Sequence, residues 1–222
     1  MRKRASYALL LAAAAYVLAE IISASAWNNP SYSYANDFIS DLGVPGGPTD
    51  FMGHMIDSPL AWVMNAGFIV NGGLVALAAV LLQRDSDATA RWQRRLMIGY
   101  GVGLTTAAFF HEAPSWMLPL HALGAALAMG GGNVATFLAG RMGTRLGMPV
   151  PLARAYMVVG AFGLLFFLVV QVLVMTSGGV LPHNIGTLER LAAYPLLLAE
   201  LVGGLSLYVS ERPARSTAPQ PQ

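Results

Sequence analysis

Residues Ala153–Met175 read ARAYMVVGAFGLLFFLVVQVLVM. After Arg154 the stretch carries no charge. It lacks the polar face that a helix on a soluble domain must turn to water. At 1.5 Å rise per residue, about 20 apolar residues in a helix cross a hydrocarbon core roughly 30 Å thick. Five other stretches read in the same way: Ser6–Trp27, Ser58–Leu82, Leu96–Phe110, Leu118–Ala139 and Leu188–Val209. The third is the shortest, and its widest reading is Trp92–Ala113. No ten-residue alternating pattern accompanies them, which excludes a membrane barrel. The expected fold class is all-α: a polytopic membrane protein with a bundle of six transmembrane helices within residues 1–212.

Composition agrees. Of 222 residues, 55% are hydrophobic and only 11% charged, against about 25% charged in a soluble domain. Mean hydropathy is +0.56. Disordered, collagen-like and disulfide-scaffold classes fall away. With no Cys in the chain, a thiolate nucleophile, an iron–sulfur cluster and a thiolate zinc site are excluded.

The basic residues fix the orientation. Arg2, Lys3 and Arg4 precede the first span; Arg84, Arg91, Arg94 and Arg95 separate the second from the third. Arg141, Arg145 and Arg154 separate the fourth from the fifth, and Arg212 and Arg215 follow the sixth. If six spans alternate, 12 of the 13 basic residues share one side and only Arg190 lies on the other. The positive-inside rule then puts both termini in the cytoplasm, with the chain in the cytoplasmic membrane. The pI near 9.1 is topogenic and does not imply nucleic acid; contact with lipid headgroups is its by-product. A rival reading makes Arg2-Lys3-Arg4, the apolar run and Ala24-Ser25-Ala26 a cleavable signal peptide. Against it, the run is long and Glu20 interrupts it, so a retained first helix is expected. The Pro-rich segment 213–222 is expected to be a disordered tail.

The 24 glycines cluster within spans, as at Gly72-Gly73, Gly99, Gly103, Gly130-Gly131-Gly132, Gly160, Gly163 and Gly203-Gly204. Small residues let helices approach closely in lipid, so bundle packing accounts for most of them.

All four histidines (His54, His111, His121, His183) and six of the eleven carboxylates fall opposite the basic loops. The six are Asp37, Asp41, Asp50, Asp57, Glu112 and Glu189. Imidazole and carboxylate are the usual ligands of a divalent metal such as zinc, with His111, His121, His183 and Asp57 as candidates. A metal-bound water near a bilayer surface could attack a lipid ester or amide. The spacing matches no HExxH motif, and water-facing or helix-capping roles are the ordinary alternative. In Asn36–Gly43 (NDFISDLG), Asn36 or Asp37 is expected to cap a short interfacial helix that Gly43 ends. Asn36, Asp37, Ser40, Asp41, His121, Glu189 and Arg190 would line a pocket on that outer side. Ser40 as a nucleophile would need a distant histidine as base, and there is no GxSxG. Arg190 is expected either to pair with carboxylates such as Asp37 or Asp41, or to receive a phosphate or carboxylate headgroup. Within the spans, Glu20 and Glu200 are costly and mark either polar staples or a proton or solute path. Asn65, Asn71, Asn133 and Gln171 can supply hydrogen bonds to them.

Four stretches resemble a known family: NDFISDLG at 36–43, MNAGFIVNGGL at 64–74, HEAP followed by LPLHALGAALAMGGGNVATFLAG at 111–140, and GTLERLAAYPLLLAELVGGLSL at 186–207. In this order they resemble domain-of-unknown-function family 998, a prokaryotic membrane family. The resemblance implies six helices, an outer segment like ISDLG, a His-bearing fourth helix and a sixth helix opening on ERxxxYP. It suggests that Asn36, Ser40, Asp41, His121, Glu189, Arg190 and Pro195 belong to a shared pattern, and it brings no activity.

Two readings of function follow. The first is a membrane protein that binds a lipid or small solute at an outer His/Asp/Arg pocket and needs no cofactor. The alternative is a lipid hydrolase or transferase at the outer interface, metal-dependent or not, drawing on His54, His111, His121 or His183 with Asp41, Asp57 or Ser40. A haem protein is disfavoured, because its axial histidines should face each other within spans. Membrane lipids are the expected partners, and the sequence names no protein partner.

Overall fold

A computed structural model describes residues 1–28, 30–82, 87–145 and 148–210. Arg84, Arg212, Arg215 and the tail at 213–222 lie outside the described residues. Six long helices carry the fold: α1 (Arg2–Ala26), α2 (Ala61–Leu81), α3 (Ala88–Phe109), α4 (Leu118–Met142), α5 (Val150–Thr176) and α6 (Ile185–Ser210). All but α3 are long and apolar enough to cross a membrane. Helix α3 falls short because Arg91, Arg94 and Arg95 occupy its first turns. Its uninterrupted apolar part begins only at Leu96.

Each helix packs on its neighbour in sequence, and α6 returns against α1, so the helices close a ring. Small residues set the approach. A methyl built on Gly72 of α2 would lie 2.9 Å from the backbone of Gly101 on α3, and one on Gly103 2.5 Å from the backbone of α4. The Ser6 hydroxyl donates to the Gly204 carbonyl across α1 and α6 at 2.7 Å. Large apolar side chains point outward, among them Leu11 on α1, Val158, Leu165 and Val172 on α5, and Leu205 on α6. Such an apolar exterior would aggregate in water and is at home in lipid.

Local chemistry sets the ends. Asp87 caps α3, its side chain accepting from the Ala90 N–H at 2.9 Å. Pro119 and Pro151 sit in the first turns of α4 and α5, where no N–H is needed. Within α4, Ala126–Gly131 winds as a π-helix, with α-helical turns on either side.

The α1–α2 connection departs from an all-α reading. It holds a two-stranded antiparallel hairpin, β1 (Thr49–Phe51) with β2 (His54–Ile56), in the register Phe51↔His54. Its two-residue turn, Met52-Gly53, has positive φ at both positions (50° and 84°), as a type I′ hairpin requires. The expected interfacial helix is here a single 3-10 turn, Ser40–Gly43, with Asp41, Leu42 and Gly43 buried. Asn36 and Asp37 do not cap it. Asp37 accepts from the Ser33 N–H at 2.7 Å, and Asn36 accepts through its side-chain oxygen from the Asn184 N–H at 3.0 Å. Phe38, Ile39 and Leu42 face inward, so burial draws the segment onto the bundle and off any surface. This connection defines the hairpin end of the ring; the first residues of α1 and the last of α6 define its basic end.

Candidate functional site

Arg190 opens onto three elements. Its Nε and Nη2 reach Glu20 Oε1 of α1 at 3.1 and 3.0 Å. Its Nη1 donates to the carbonyls of Tyr34 (2.7 Å), Asp37 (3.1 Å) and Gly186 (3.0 Å). Nη2 also donates to the Tyr32 hydroxyl, and the guanidinium lies over the Tyr32 and Tyr34 rings. Tyr194 donates to Glu20 at 3.0 Å. Next to Arg190, Glu189 accepts the Ile39 N–H. Glu20, Glu189 and Arg190 are all buried. The expected pairing of Arg190 with the Asp37 or Asp41 carboxylate is corrected: Asp37 offers its backbone carbonyl, and the ionic partner is Glu20. With each nitrogen engaged internally, the fork acts as a pin, the satisfied arrangement that a buried ion pair requires.

Beside the pin lies a second cluster. Asp41 is completely buried. Its Oδ2 accepts the Phe38 N–H at 2.7 Å and sits 3.1 Å from His54 Nε2, although the ring nitrogen is not aligned for a hydrogen bond. Its Oδ1 meets no donor among the described residues. The Glu112 carboxyl lies against it. On the far side of Glu112, His121 Nε2 approaches Oε2 at 3.2 Å. His121 Nδ1 is 2.9 Å from the Phe110 carbonyl, which can only accept, so that nitrogen carries the proton. Burial pushes the Asp41 carboxyl well above the usual carboxylate range, and the neighbouring Glu112 adds to the effect. Burial likewise lowers the His54 imidazole.

His111 stands at the edge of this cluster, 3.4 Å from Asn65 Nδ2 and 3.2 Å from the Ala108 carbonyl. Burial holds its imidazole below the ordinary value, so below pH about 6.5 the folded chain binds fewer protons here than the unfolded one. The stabilising difference is whole above that pH and is lost as pH falls through it. Thermal melts in detergent should therefore fall more between pH 7 and 5.5 for the wild type than for His111→Asn; parallel curves would remove His111 from the acid response.

The larger cavity lies elsewhere. It has a volume of about 530 Å³ and sits inside the ring toward the basic end. Arg2, Gln93, Arg94 and Ser210 stand near its mouth; Leu9, Val75, Met97 and Ala135 form its walls; Tyr100, Tyr156 and Glu200 stand deeper. Glu200 is buried, accepting from Asn71 Nδ2 at 2.9 Å and from the Tyr100 hydroxyl at 3.1 Å. The same Tyr100 hydroxyl is 2.7 Å from Asn71 Oδ1, and Tyr156 donates to the Ala199 carbonyl at 2.6 Å.

The structure thus sorts the expected residues. Asp37, Asp41 and His54 come together, His121 joins through Glu112, and Glu189 and Arg190 join through the segment 34–39. Asn36 and His183 are exposed, and Ser40 and Asp57 half-buried; none of these four joins the cluster. Asp57 borders a smaller, open depression beside Trp62. Glu112, Tyr32, Tyr34, Tyr194 and Tyr100 carry contacts that the sequence reading did not assign. Their signal was hydroxyl-bearing aromatics in a chain with few charged partners for its buried carboxylates.

A family described as protein of unknown function (DUF998) matches residues 10–205. No curated protein matches, and no solved structure matches.

Proposed function

The chain belongs to the DUF998 family, and on that premise we propose a six-span protein of the cytoplasmic membrane that binds a lipid or lipid-like solute in the ring's interior. In this reading α3, the third helix, also spans and brings the count to six, its first-turn arginines lying at headgroup level, and both termini face the cytoplasm. The hairpin end then faces outward. Closure of the ring by sequential neighbours supports the alternation, because an even count returns the last helix antiparallel to the first.

The cavity carries the proposal. At about 530 Å³ it falls within the usual ligand-pocket range of roughly 300–1,000 Å³. Apolar walls suit an acyl or isoprenoid body. Glu200 and the tyrosine hydroxyls give that body a polar group to meet, since a carboxylate with lone pairs to spare accepts a hydroxyl or an ammonium. The basic mouth suits inner-leaflet headgroups. The binding pocket expected at the opposite end is replaced in this reading by the cavity, because Arg190, Glu20 and Glu189 there are engaged with one another and with the 32–39 segment.

Native mass spectrometry of the detergent-purified chain should show a co-purifying lipid. Ala135→Trp, which fills the wall, should abolish it. Glu200→Gln, which replaces one acceptor oxygen by a donor, should weaken it up to about tenfold, as loss of one hydrogen bond implies. Equal lipid retention in Ala135→Trp and wild type would place the lipid outside the ring and end the proposal. Single cysteines at positions 54 and 91, in a chain with none of its own, should label from opposite sides of the membrane.

A further inference from the structure

We propose that Asp37, Asp41 and His54 form a binding site for a divalent cation of the zinc class at the hairpin end of the ring. The site lies at the opposite end from the lipid cavity and does not depend on it.

Ligand atoms of the three side chains all lie within 4.8 Å of one another. Oxygen and nitrogen ligands sit about 2.0–2.2 Å from zinc, which puts tetrahedral neighbours roughly 3.4 Å apart. His54 Nε2 and Asp41 Oδ2, 3.1 Å apart, already stand near that separation. Small side-chain rotations bring the third in.

A second observation points to an occupant. Asp41 is fully buried, and its Oδ1 has no donor among the described residues. The Glu112 carboxyl lies against that of Asp41, and neither of its oxygens meets a donor from another residue among those described. Two buried carboxyls in contact are costly while both are ionised, and a cation beside them, like a proton between them, removes the cost. His54 Nε2 approaches Asp41 without the alignment of a hydrogen bond, as two ligands of one ion would.

The surroundings fit a metal site. One oxygen of Asp37 and one of Asp41 are held by backbone N–H groups of Ser33 and Phe38, both at 2.7 Å. This second layer orients the carboxyl groups, and Asp41 Oδ2 keeps a second lone pair for the ion on the side where His54 approaches it. The Phe38 and Phe51 rings stand 6.3 and 6.0 Å from the His54 ring and shield the site on two sides. His54 remains 19% exposed, which gives an entry path. Three protein ligands leave a fourth tetrahedral position open, the arrangement of zinc sites that bind water or substrate.

The test uses the full chain in detergent, stripped with a chelator and dialysed against zinc chloride alone, with metal content read by mass spectrometry. Wild type should take up about one zinc per chain. His54→Gln and Asp37→Asn, both on partly exposed residues, should each weaken uptake at least tenfold while lipid co-purification is unchanged. Zinc should also raise the melting temperature of stripped wild type, a readout that needs no variant, and cobalt in its place should give visible ligand-field bands. No zinc uptake by refolded, monodisperse wild type would overturn the proposal and leave a proton shared by Asp41 and Glu112 as the occupant. Uptake undiminished in both variants would overturn it as well, placing the ion elsewhere.

Discussion

Arg190→Ala should be among the most damaging single substitutions in the chain. Among the described residues it removes every donor that holds Glu20, except the Tyr194 hydroxyl. It also strips the carbonyls of Tyr34, Asp37 and Gly186 of a shared partner. Breaking a buried pair by deleting one member typically costs about 3–5 kcal/mol, most of it the uncompensated charge left behind. In a chain of this size that corresponds to a fall in melting temperature of roughly 10 °C. Arg190→Lys should rescue little, because a single ammonium cannot copy a planar fork that reaches α1, the 34–37 segment and the preceding turn of α6 together. Glu20→Gln in the Arg190→Ala background should recover part of the loss, since the orphaned charge is then gone. The pairwise term from the double-mutant cycle should exceed about 1 kcal/mol; strict additivity of the two single effects would show that the pin does not operate as a unit.

Two glycines on α3 should respond in opposite ways to gaining a side chain. Gly101→Leu should prevent the native packing of α2 on α3. Even a methyl at Gly101 would meet the Gly72 carbonyl oxygen, lie 3.0 Å from the Gly72 carbonyl carbon and 3.3 Å from Ala76 Cβ. The obstacle is backbone, so no rotamer change relieves it and the helices must part. Overpacking of this kind costs about 1–3 kcal/mol and more where nothing can yield. Parting the helices also opens the seam through which α2 carries Asn71 to Glu200. Gly99→Ala, two residues earlier, has nothing within 4 Å of the new methyl. It should be neutral or gain up to about 1 kcal/mol from the helix preference of Ala. Thermal melts of the two variants side by side decide the matter, and equal losses would mean that the α2–α3 contact is not the limiting one.

The helices were legible because a span is a long, local signal: 20 apolar residues announce themselves without reference to the rest of the chain. Helix α3 was the weakest by that measure, because the arginines of its first turns shorten its apolar run. The hairpin was not legible. Met52-Gly53 is not one of the turn pairs that favour positive φ twice, and a methionine in that conformation carries no advance notice. The polar residues were visible as a population gathered at one end, yet their partners were not. Glu20 and Arg190 are 170 residues apart, and only ring closure of α6 on α1 brings them together. The metal candidates named from sequence, His111, His121, His183 and Asp57, were expected on one side but do not meet at one point; Asp37, Asp41 and His54 come together because the 3-10 turn and the hairpin fold against each other. The cavity left no trace, since its small and apolar lining residues read the same whether they touch a neighbour or face a void.

The π-helical segment of α4 acts on the helix as one inserted residue does, shifting everything beyond it by about 100° of rotation relative to a plain α-helix. The front half turns Gly124 onto the backbone of α3, while the rear half turns Gly140 onto the backbone of α5. A single helix therefore serves two partners that no unbroken stripe of side chains could address in phase. Removing one residue from 126–131 would leave its composition and hydropathy almost untouched, and would still swing the His121 half out of step with the Asn133 half, like a gear slipped by one tooth.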